Sequence, residues 1–304
     1  MPCYKPLMAL VKRGVDGKNR VTFPKTLPRA DVAKYGQPTP LPCGQCVGCR
    51  LERSRQWAVR LMKEARLHDR NSFLTLTYDD KNLPQLKDGR PTLVLEDVQL
   101  FLKRLRKRFS PAPLRFFQCG EYGETTFRPH HHMILFGEDF CKDRERIEDT
   151  RTGFAQWISP TLTELWGKGR CTISDVSFES AAYVARYVVK KVTGKGSEYH
   201  YLGRKPEFVT MSRRPGIGSA YFQEFVDEIY SHDEIIPAPG RPPSLPPKYF
   251  DRLLEKGDPA LFAEIKKKRS EGLDFYTDPN STDTRLKTRE RIKESIIKNC
   301  LKRS

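Results

Sequence analysis

Three consecutive histidines, His130, His131 and His132, lead directly into the apolar run 133–136. A short apolar run of this kind is typical of a buried β-strand, in which successive side chains point to opposite faces. His130 and His132 therefore project from one face, about 7 Å apart along the strand by the usual rise per residue. Two imidazoles on one face can hold one cation. We predict a metal site here, with His131 on the other face; surface histidines without a ligand are the alternative.

A third metal ligand is expected from the neighbouring strand. Residues 113–119 are rich in β-forming residues, and a polar loop containing glycine joins them to the histidine strand, which predicts an antiparallel hairpin. Glu121 is best placed to reach back to the imidazoles, and Glu124 is the reserve. Two imidazoles and a carboxylate leave positions open for a phosphate and a water. Such mixed nitrogen and oxygen ligands suit Mn²⁺ and tolerate Mg²⁺.

The segment after residue 178 predicts a helix with tyrosines on its exposed side. At about 100° per residue, Tyr183, Tyr187 and Lys190 fall within a narrow arc, with Lys191 at its edge. A phenol titrates near 10, but a nearby cation and a metal-polarised phosphate both favour the phenolate. Its attack on a DNA phosphate would give a phosphotyrosine ester and a free hydroxyl. Phenols that only border the core or stack on bases are the alternative.

The remaining pattern predicts an α+β fold, with a central antiparallel sheet, helices on one face and the site on the other. Strands are predicted at 73–78, 113–119, 130–136, 170–177 and 207–212, and helices at 50–68, 96–109, 159–166 and 179–193. Four regions are predicted along the chain: an N-terminal cysteine-containing segment at 1–50, the main domain at 51–225, a proline-rich linker at 226–259 and a basic charged tail at 260–304.

The charge balance indicates the kind of partner. Lysine and arginine total 55 against 38 acidic residues, a formal net charge of +17. Such an excess favours a polyanion, with nucleic acid preferred to an anionic membrane. No apolar run approaches the roughly 18 residues of a membrane span, and the apolar patch near the start is shorter than a secretory signal requires. We therefore expect a cytoplasmic protein without a membrane partner. The phosphate-loop motif of ATP-driven motors is also missing.

A cysteine cluster precedes the predicted main domain. Cys43, Cys46 and Cys49 follow one another at intervals of three residues, and a reducing cytoplasm favours thiols or metal ligands over disulfides. Zn²⁺ in a closed structural site takes four ligands, and Cys3 is the obvious fourth. An iron–sulfur cluster would need a fourth cysteine nearby at its usual spacing, which is missing. Reduced thiols packed in a tight turn are the other alternative.

Three ordered motifs carry a family resemblance. They are FLTLTY at 73–78, CGEYGE at 119–124 with RPHHH at 128–132, and YVARYVVKK at 183–191. Together they resemble the motifs of HUH endonucleases, whose fold is RRM-like. They are most similar to the replication initiation proteins of microviruses on the gokushovirus side, as are the segments 42–50 and 211–218. The resemblance covers about residues 40–220. His131 departs from it, because the family usually has a bulky hydrophobic residue there.

The resemblance implies a function in rolling-circle replication of phage DNA. The protein would be a site-specific single-stranded DNA endonuclease and strand transferase that nicks the replication origin, forms a 5′-phosphotyrosine link and later closes the circle. It implies a host helicase and a host DNA polymerase as partners, and the cytoplasm of a bacterial host as the location. A relaxase or transposase on the same fold and a non-catalytic nucleic-acid-binding protein remain the alternatives.

Overall fold

A computed structural model describes residues 3–14, 19–23, 38–123, 125–150, 153–186, 196–271 and 275–301. The chain divides into two compact units, one of Met1–Glu52 with Lys266–Ser304 and the other of Arg53–Ile265. Both ends of the chain therefore belong to the first unit. Within the described ranges, no helix is long and apolar enough to cross a membrane.

The elements are numbered in chain order. The strands are β1 (Leu7–Arg13), β2 (Asn19–Thr22), β3 (Thr39–Leu41), β4 (Asn71–Thr77), β5 (Arg115–Tyr122), β6 (Pro129–Phe136), β7 (Glu145–Ile147), β8 (Gln156–Ile158), β9 (Cys171–Ser174) and β10 (Phe208–Met211). The helices are α1 (Val47–Ala65), α2 (Leu95–Arg108), α3 (Pro160–Trp166), α4 (Phe178–Arg186), α5 (Ser197–Tyr201), α6 (Ser219–Ser231), α7 (Lys248–Gly257), α8 (Pro259–Ser270) and α9 (Asp283–Leu301), with a 3-10 turn at Pro279–Ser281.

The second unit is built on a seven-stranded sheet in the order β10-β5-β6-β4-β9-β8-β7, and neighbouring strands pair antiparallel. This confirms the predicted α+β fold with a central antiparallel sheet. In β4, buried and half-buried residues alternate along the strand. Successive side chains of a strand point to opposite faces, and the strand at 73–78 was predicted from this alternation. The first unit has its own three-stranded sheet, in the order β2-β1-β3.

One face of the large sheet packs against α2 and α3. Leu74 and Leu135 on this face contact buried residues such as Phe101 of α2 and Trp166 of α3. The indole Nε1 of Trp166 donates a hydrogen bond to the carbonyl oxygen of Thr77 at 2.6 Å, so the largest side chain of this core also has its polar group satisfied.

The opposite face of the sheet packs against α1 and α4. Phe117 and Ile134 on this face contact Leu61 of α1 and Val184 of α4. The expectation that helices cover one face only was therefore wrong. The central strands β5 and β6 are buried at nearly every position, so both faces are apolar and both must be covered.

A third core lies within the second unit, in the segment that includes the predicted linker. Phe250 and Leu254 of α7 are buried there with Tyr230 of α6. The prolines of residues 237–247 therefore run between two packed helices. The region boundaries inferred from the sequence stay a prediction.

Candidate active site

Glu121, His130 and His132 lie on neighbouring strands of the large sheet. In the antiparallel pair of β5 and β6, Glu121 is opposite His130, and Cys119 is opposite His132. Opposed residues in such a pair point to the same face, so the carboxylate lies beside both imidazoles. The Oε1 atom of Glu121 lies 2.7 Å from Nε2 of His130 and 2.8 Å from Nε2 of His132. We call these three residues the carboxylate–imidazole site.

The hydrogen bonds made by Nδ1 of each histidine indicate which ring nitrogen faces Glu121. Nδ1 of His130 lies 3.2 Å from the carbonyl oxygen of Arg128, which can only accept, so Nδ1 is the donor of this hydrogen bond. In the tautomer with its proton on Nδ1 alone, Nε2 presents a lone pair to Glu121 Oε1. Two lone pairs at this distance repel each other unless a cation or a proton lies between them. The arrangement therefore fits a bound metal ion.

His132 has a comparable anchor. Its Nδ1 lies 3.1 Å from the hydroxyl oxygen of Thr75, which is opposite His132 in the pairing of β4 with β6. The ring of Phe73 stacks on the imidazole at 5.5 Å between centroids. Thr75 and Phe73 were missed by the sequence analysis. The alternation of residues 73–78 places them on one face, but the pairing register that brings them to His132 is a property of the folded sheet.

The carboxylate–imidazole site is largely shielded from water. Glu121 is 2% and His132 7% exposed, while His130 is half-buried at the rim. Burying a carboxylate in this way is costly without a compensating positive charge. The three ligand atoms lie within 4.8 Å of one another, close enough for one ion. The structure thus shows a residue group that could hold a metal.

Tyr183 of α4 reaches this site. Its neighbours Ala181 and Val184 face the core, whereas the phenol is half-buried. The hydroxyl donates a hydrogen bond to Glu121 Oε1 at 3.0 Å and lies 3.4 Å from His132 Nε2. A possible nucleophile thus contacts the same carboxylate oxygen as both imidazoles. The guanidinium of Arg186, a residue to which the sequence analysis gave no role, lies 5.9 Å from the ring centre of Tyr183.

The remaining predicted residues of the site lie outside the described residues. These are Tyr187, Lys190 and Lys191 of the tyrosine motif, and Glu124, the reserve ligand. Their roles stay predictions.

His131 points to the opposite face of the sheet, as its place in the strand indicates. Its Nδ1 accepts from the amide of Gln118 at 3.1 Å, and its Nε2 lies 3.1 Å from the hydroxyl of Tyr78, which donates to Asp97 at 2.9 Å. Burial lowers the pKa of His131 to about 3, so the ring is neutral. Burial and the adjacent Asp97 raise the pKa of Tyr78. This histidine therefore has a packing role in a buried hydrogen-bonded chain.

A second group of possible metal ligands lies in the first unit. Its sulfur atoms all lie within 4.8 Å of one another, and all four cysteines are free thiols. The group, which we call the cysteine site, consists of Cys3, Cys43, Cys46 and Cys49. The structure thus brings together the four cysteines that the sequence analysis singled out.

Comparisons with known proteins show what this chain is similar to. The chain matches the replication-associated protein ORF2/G2P family over residues 71–192, which include both the carboxylate–imidazole site and Tyr183. It is 36% identical to the replication-associated protein ORF2 of Spiroplasma virus 4 over 284 residues, which cover 88% of this chain and 86% of that protein. It is 29% identical over 276 residues to the replication-associated protein VP4 of Bdellovibrio phage phiMH2K, covering 88% and 82% of the two chains.

A third similar protein is the replication-associated protein ORF4 of Chlamydia phage 1, with 33% identity over 225 residues that cover 71% of this chain and 54% of that protein. No solved structure matches the chain. Similarity over nearly the full length of two such proteins leads to one conclusion: the chain belongs to the family of microvirus replication-associated proteins.

Proposed function

We propose that this protein nicks and rejoins single-stranded DNA at a phage replication origin, through a covalent phosphotyrosine intermediate. The observation that carries the proposal is the position of the Tyr183 hydroxyl, 3.0 Å from the carboxylate oxygen that also faces both imidazoles. Membership of a phage replication family supports the choice of DNA as substrate. The net charge of +17 favours the same substrate.

The carboxylate–imidazole site would hold Mg²⁺ or Mn²⁺. Two imidazole nitrogens and one carboxylate oxygen form a mixed set with room for further oxygen ligands. When bound, such an ion would neutralise charge on the scissile phosphate and increase its electrophilicity. The cysteine site has a different chemistry, because four thiols suit a closed structural Zn²⁺ ion.

Tyr183 would attack the phosphate as the nucleophile. A bond forms between its phenolic oxygen and phosphorus as the phenol loses its proton to solvent, and the bond from phosphorus to the 3′ oxygen breaks. The 3′ oxygen takes up one proton from solvent and leaves as a free hydroxyl, so one proton is released and one is taken up. The 5′ phosphate is then linked to the enzyme, and the energy of the phosphodiester is kept for rejoining. Glu121 orients the phenol by accepting its hydrogen bond, and Arg186 on the same helix lies 5.9 Å from the ring centre of Tyr183, where it could contact the DNA phosphate.

A second tyrosine is proposed for the rejoining step. Tyr187 follows Tyr183 by four residues, about one helical turn, and Lys190 and Lys191 would add positive charge to the same side. Two tyrosines could take turns, one linked to the nicked strand while the other cleaves again. In this scheme a host polymerase extends the free 3′ hydroxyl, and a host helicase separates the strands in the bacterial cytoplasm.

A covalent-adduct assay tests the proposal. Labelled single-stranded oligonucleotides that tile the phage genome are incubated with the full chain and Mn²⁺, and the products are separated under denaturing conditions. We expect a protease-sensitive protein–DNA band from one origin sequence. The band should be lost in the double variant Tyr183→Phe, Tyr187→Phe. It should be kept in the control variant Tyr199→Phe, because that tyrosine is 83% exposed. Cleavage without any adduct would indicate water as the nucleophile and contradict the proposal.

A further inference from the structure

The spacing of the sulfur atoms in the cysteine site matches a single tetrahedral ion. Zn²⁺ binds thiolate sulfur at about 2.3 Å, which places the sulfurs of a tetrahedral site about 3.8 Å apart. The Sγ atoms of Cys43 and Cys49 are 4.0 Å apart, and those of Cys3 and Cys46 are also 4.0 Å apart. An iron–sulfur cluster distributes its thiolates over two or more irons and so needs them more widely spread. The observed distances between the sulfur atoms are therefore closest to those of a site that holds a single metal ion.

Backbone N–H groups around the cysteine site point at the sulfurs. The N–H of Tyr4 donates to Cys46 Sγ, and the N–H of Cys43 donates to Cys3 Sγ, both at 3.3 Å. Gly44 makes the turn between Cys43 and Cys46 possible with its φ of 74°, a left-handed conformation that favours glycine. Such donors stabilise thiolates, the form that binds metal.

The residues that follow Cys3 also contact the C-terminal helix α9. The ring of Tyr4 lies 5.9 Å from the guanidinium carbon of Arg289, and the ammonium of Lys5 lies 3.1 Å from a carboxylate oxygen of Glu290. Glu290 is only 7% exposed, so the carboxylate of this ion pair is buried. Tyr4 is thus tied to the cysteine site by its backbone and to α9 by its side chain. Both contacts lie within the first unit.

We infer that Cys3, Cys43, Cys46 and Cys49 bind one Zn²⁺ ion and that this ion fixes residues 3–5 as the surface that holds α9. The backbone pairing of β1 with β3 begins at Leu7, so residues 3–5 are joined to the segment 43–49 by N–H···S and sulfur contacts; without the ion, we expect Tyr4 and Lys5 to lose their fixed position. The energy of metal binding would then be part of the folding energy of this unit. The inference is independent of the nicking chemistry, because it uses none of the residues of the carboxylate–imidazole site.

The first test is the metal content of the full chain. The reference protein and all the cysteine variants carry His130→Ala and His132→Ala. The carboxylate–imidazole site then contributes little to the measured metal content. We expect about one zinc per chain and negligible iron by mass spectrometry. Replacement by Co²⁺ should give the strong visible absorption of a tetrahedral thiolate site. Cys43→Ser should lose zinc, whereas Cys141→Ser, at an exposed cysteine, should keep it. Iron in place of zinc, or no bound metal, would overturn the inference.

The second test measures how firmly α9 is held. In hydrogen exchange on the full chain, removal of zinc by a chelator should speed exchange of the backbone amides in residues 283–299 by about tenfold or more. Lys5→Met should speed the same amides while leaving the zinc content unchanged. Lys287→Met, at an exposed lysine of α9, serves as the control and should change neither. Unaltered exchange in α9 after complete zinc removal would contradict the role assigned to the ion.

Discussion

The hydroxyl oxygen of Thr75 lies 3.1 Å from Nδ1 of His132, directly across the pairing of β4 with β6. A partner at Nδ1 fixes the ring orientation of a metal-binding histidine and the nitrogen that it presents to the ion. Although Thr75 is not itself a candidate ligand, we therefore expect its hydroxyl to affect the affinity of the carboxylate–imidazole site for a metal ion.

We expect Thr75→Val to lower the affinity for Mn²⁺ by about 10- to 100-fold, because the new side chain keeps the shape but loses the hydroxyl. Calorimetric titration of the full chain with Mn²⁺ measures the change. Thr77→Val is a matched control on the same strand, since the Thr77 hydroxyl donates to the carbonyl of Arg170 instead. Equal affinities for Thr75→Val and the wild type would show that the contact does not orient His132.

His130→Ala and His132→Ala should each abolish cleavage while leaving most of the DNA binding. The imidazoles are expected to hold the metal, whereas binding depends on lysine and arginine contacts to phosphates and should weaken steeply with salt. Cleavage and fluorescence-anisotropy binding are measured on the same oligonucleotide, with the exposed His200→Ala as the control. A parallel loss of binding and cleavage would argue against separate roles.

His131→Leu should destabilise the protein by about 1–3 kcal/mol without removing metal binding. Leucine leaves Gln118 and Tyr78 without the imidazole to which they hydrogen bond, and unsatisfied buried polar groups cost energy of this order. Urea unfolding gives the free energy, and the Mn²⁺ titration shows whether the other face is intact. Lost metal binding in a folded His131→Leu protein would mean that His131 acts on the site itself.

Glu64 makes the stability of the second unit depend on pH. Burial would raise the pKa of its carboxyl, but hydrogen bonds from His68 and from the N–H of Gly218, together with the charge of Arg115, outweigh burial and lower it. For an acid with a depressed pKa, the stabilisation is present above the unfolded value of about 4.3 and is lost as pH falls through the folded value.

Glu64→Gln should therefore lower the free energy of unfolding by about 3 kcal/mol at neutral pH, because Arg115 loses its buried partner. The difference in this free energy between the variant and the wild type should shrink below about pH 4.3. Urea unfolding across this range measures it. Glu224→Gln, at an exposed position of α6, is the control and should change little. A difference that stays constant with pH would exclude the ionised carboxylate as the cause.

The local alternation of side chains along the sequence was sufficient to predict part of the fold and of the candidate site. The alternation of a strand places His130 and His132 on one face and His131 on the other, and the structure agrees. The antiparallel sheet could be predicted for the same reason, since strand and turn signals lie within a few residues of one another. The helix cover of the second face was missed, because an apolar run shows that a strand is buried but not what buries it.

The sequence by itself determined which residue types lie on which face of each strand or helix, and it placed three of the four cysteines within seven residues of one another. Only the tertiary structure decided that Glu121 Oε1 faces both imidazoles, that Thr75 anchors His132, and that the hydroxyl of Tyr183 comes within 3.0 Å of Glu121. The reason is physical. Backbone geometry repeats over two to four residues and is visible in local patterns, whereas pairing register and helix docking are set by the packing of the whole core.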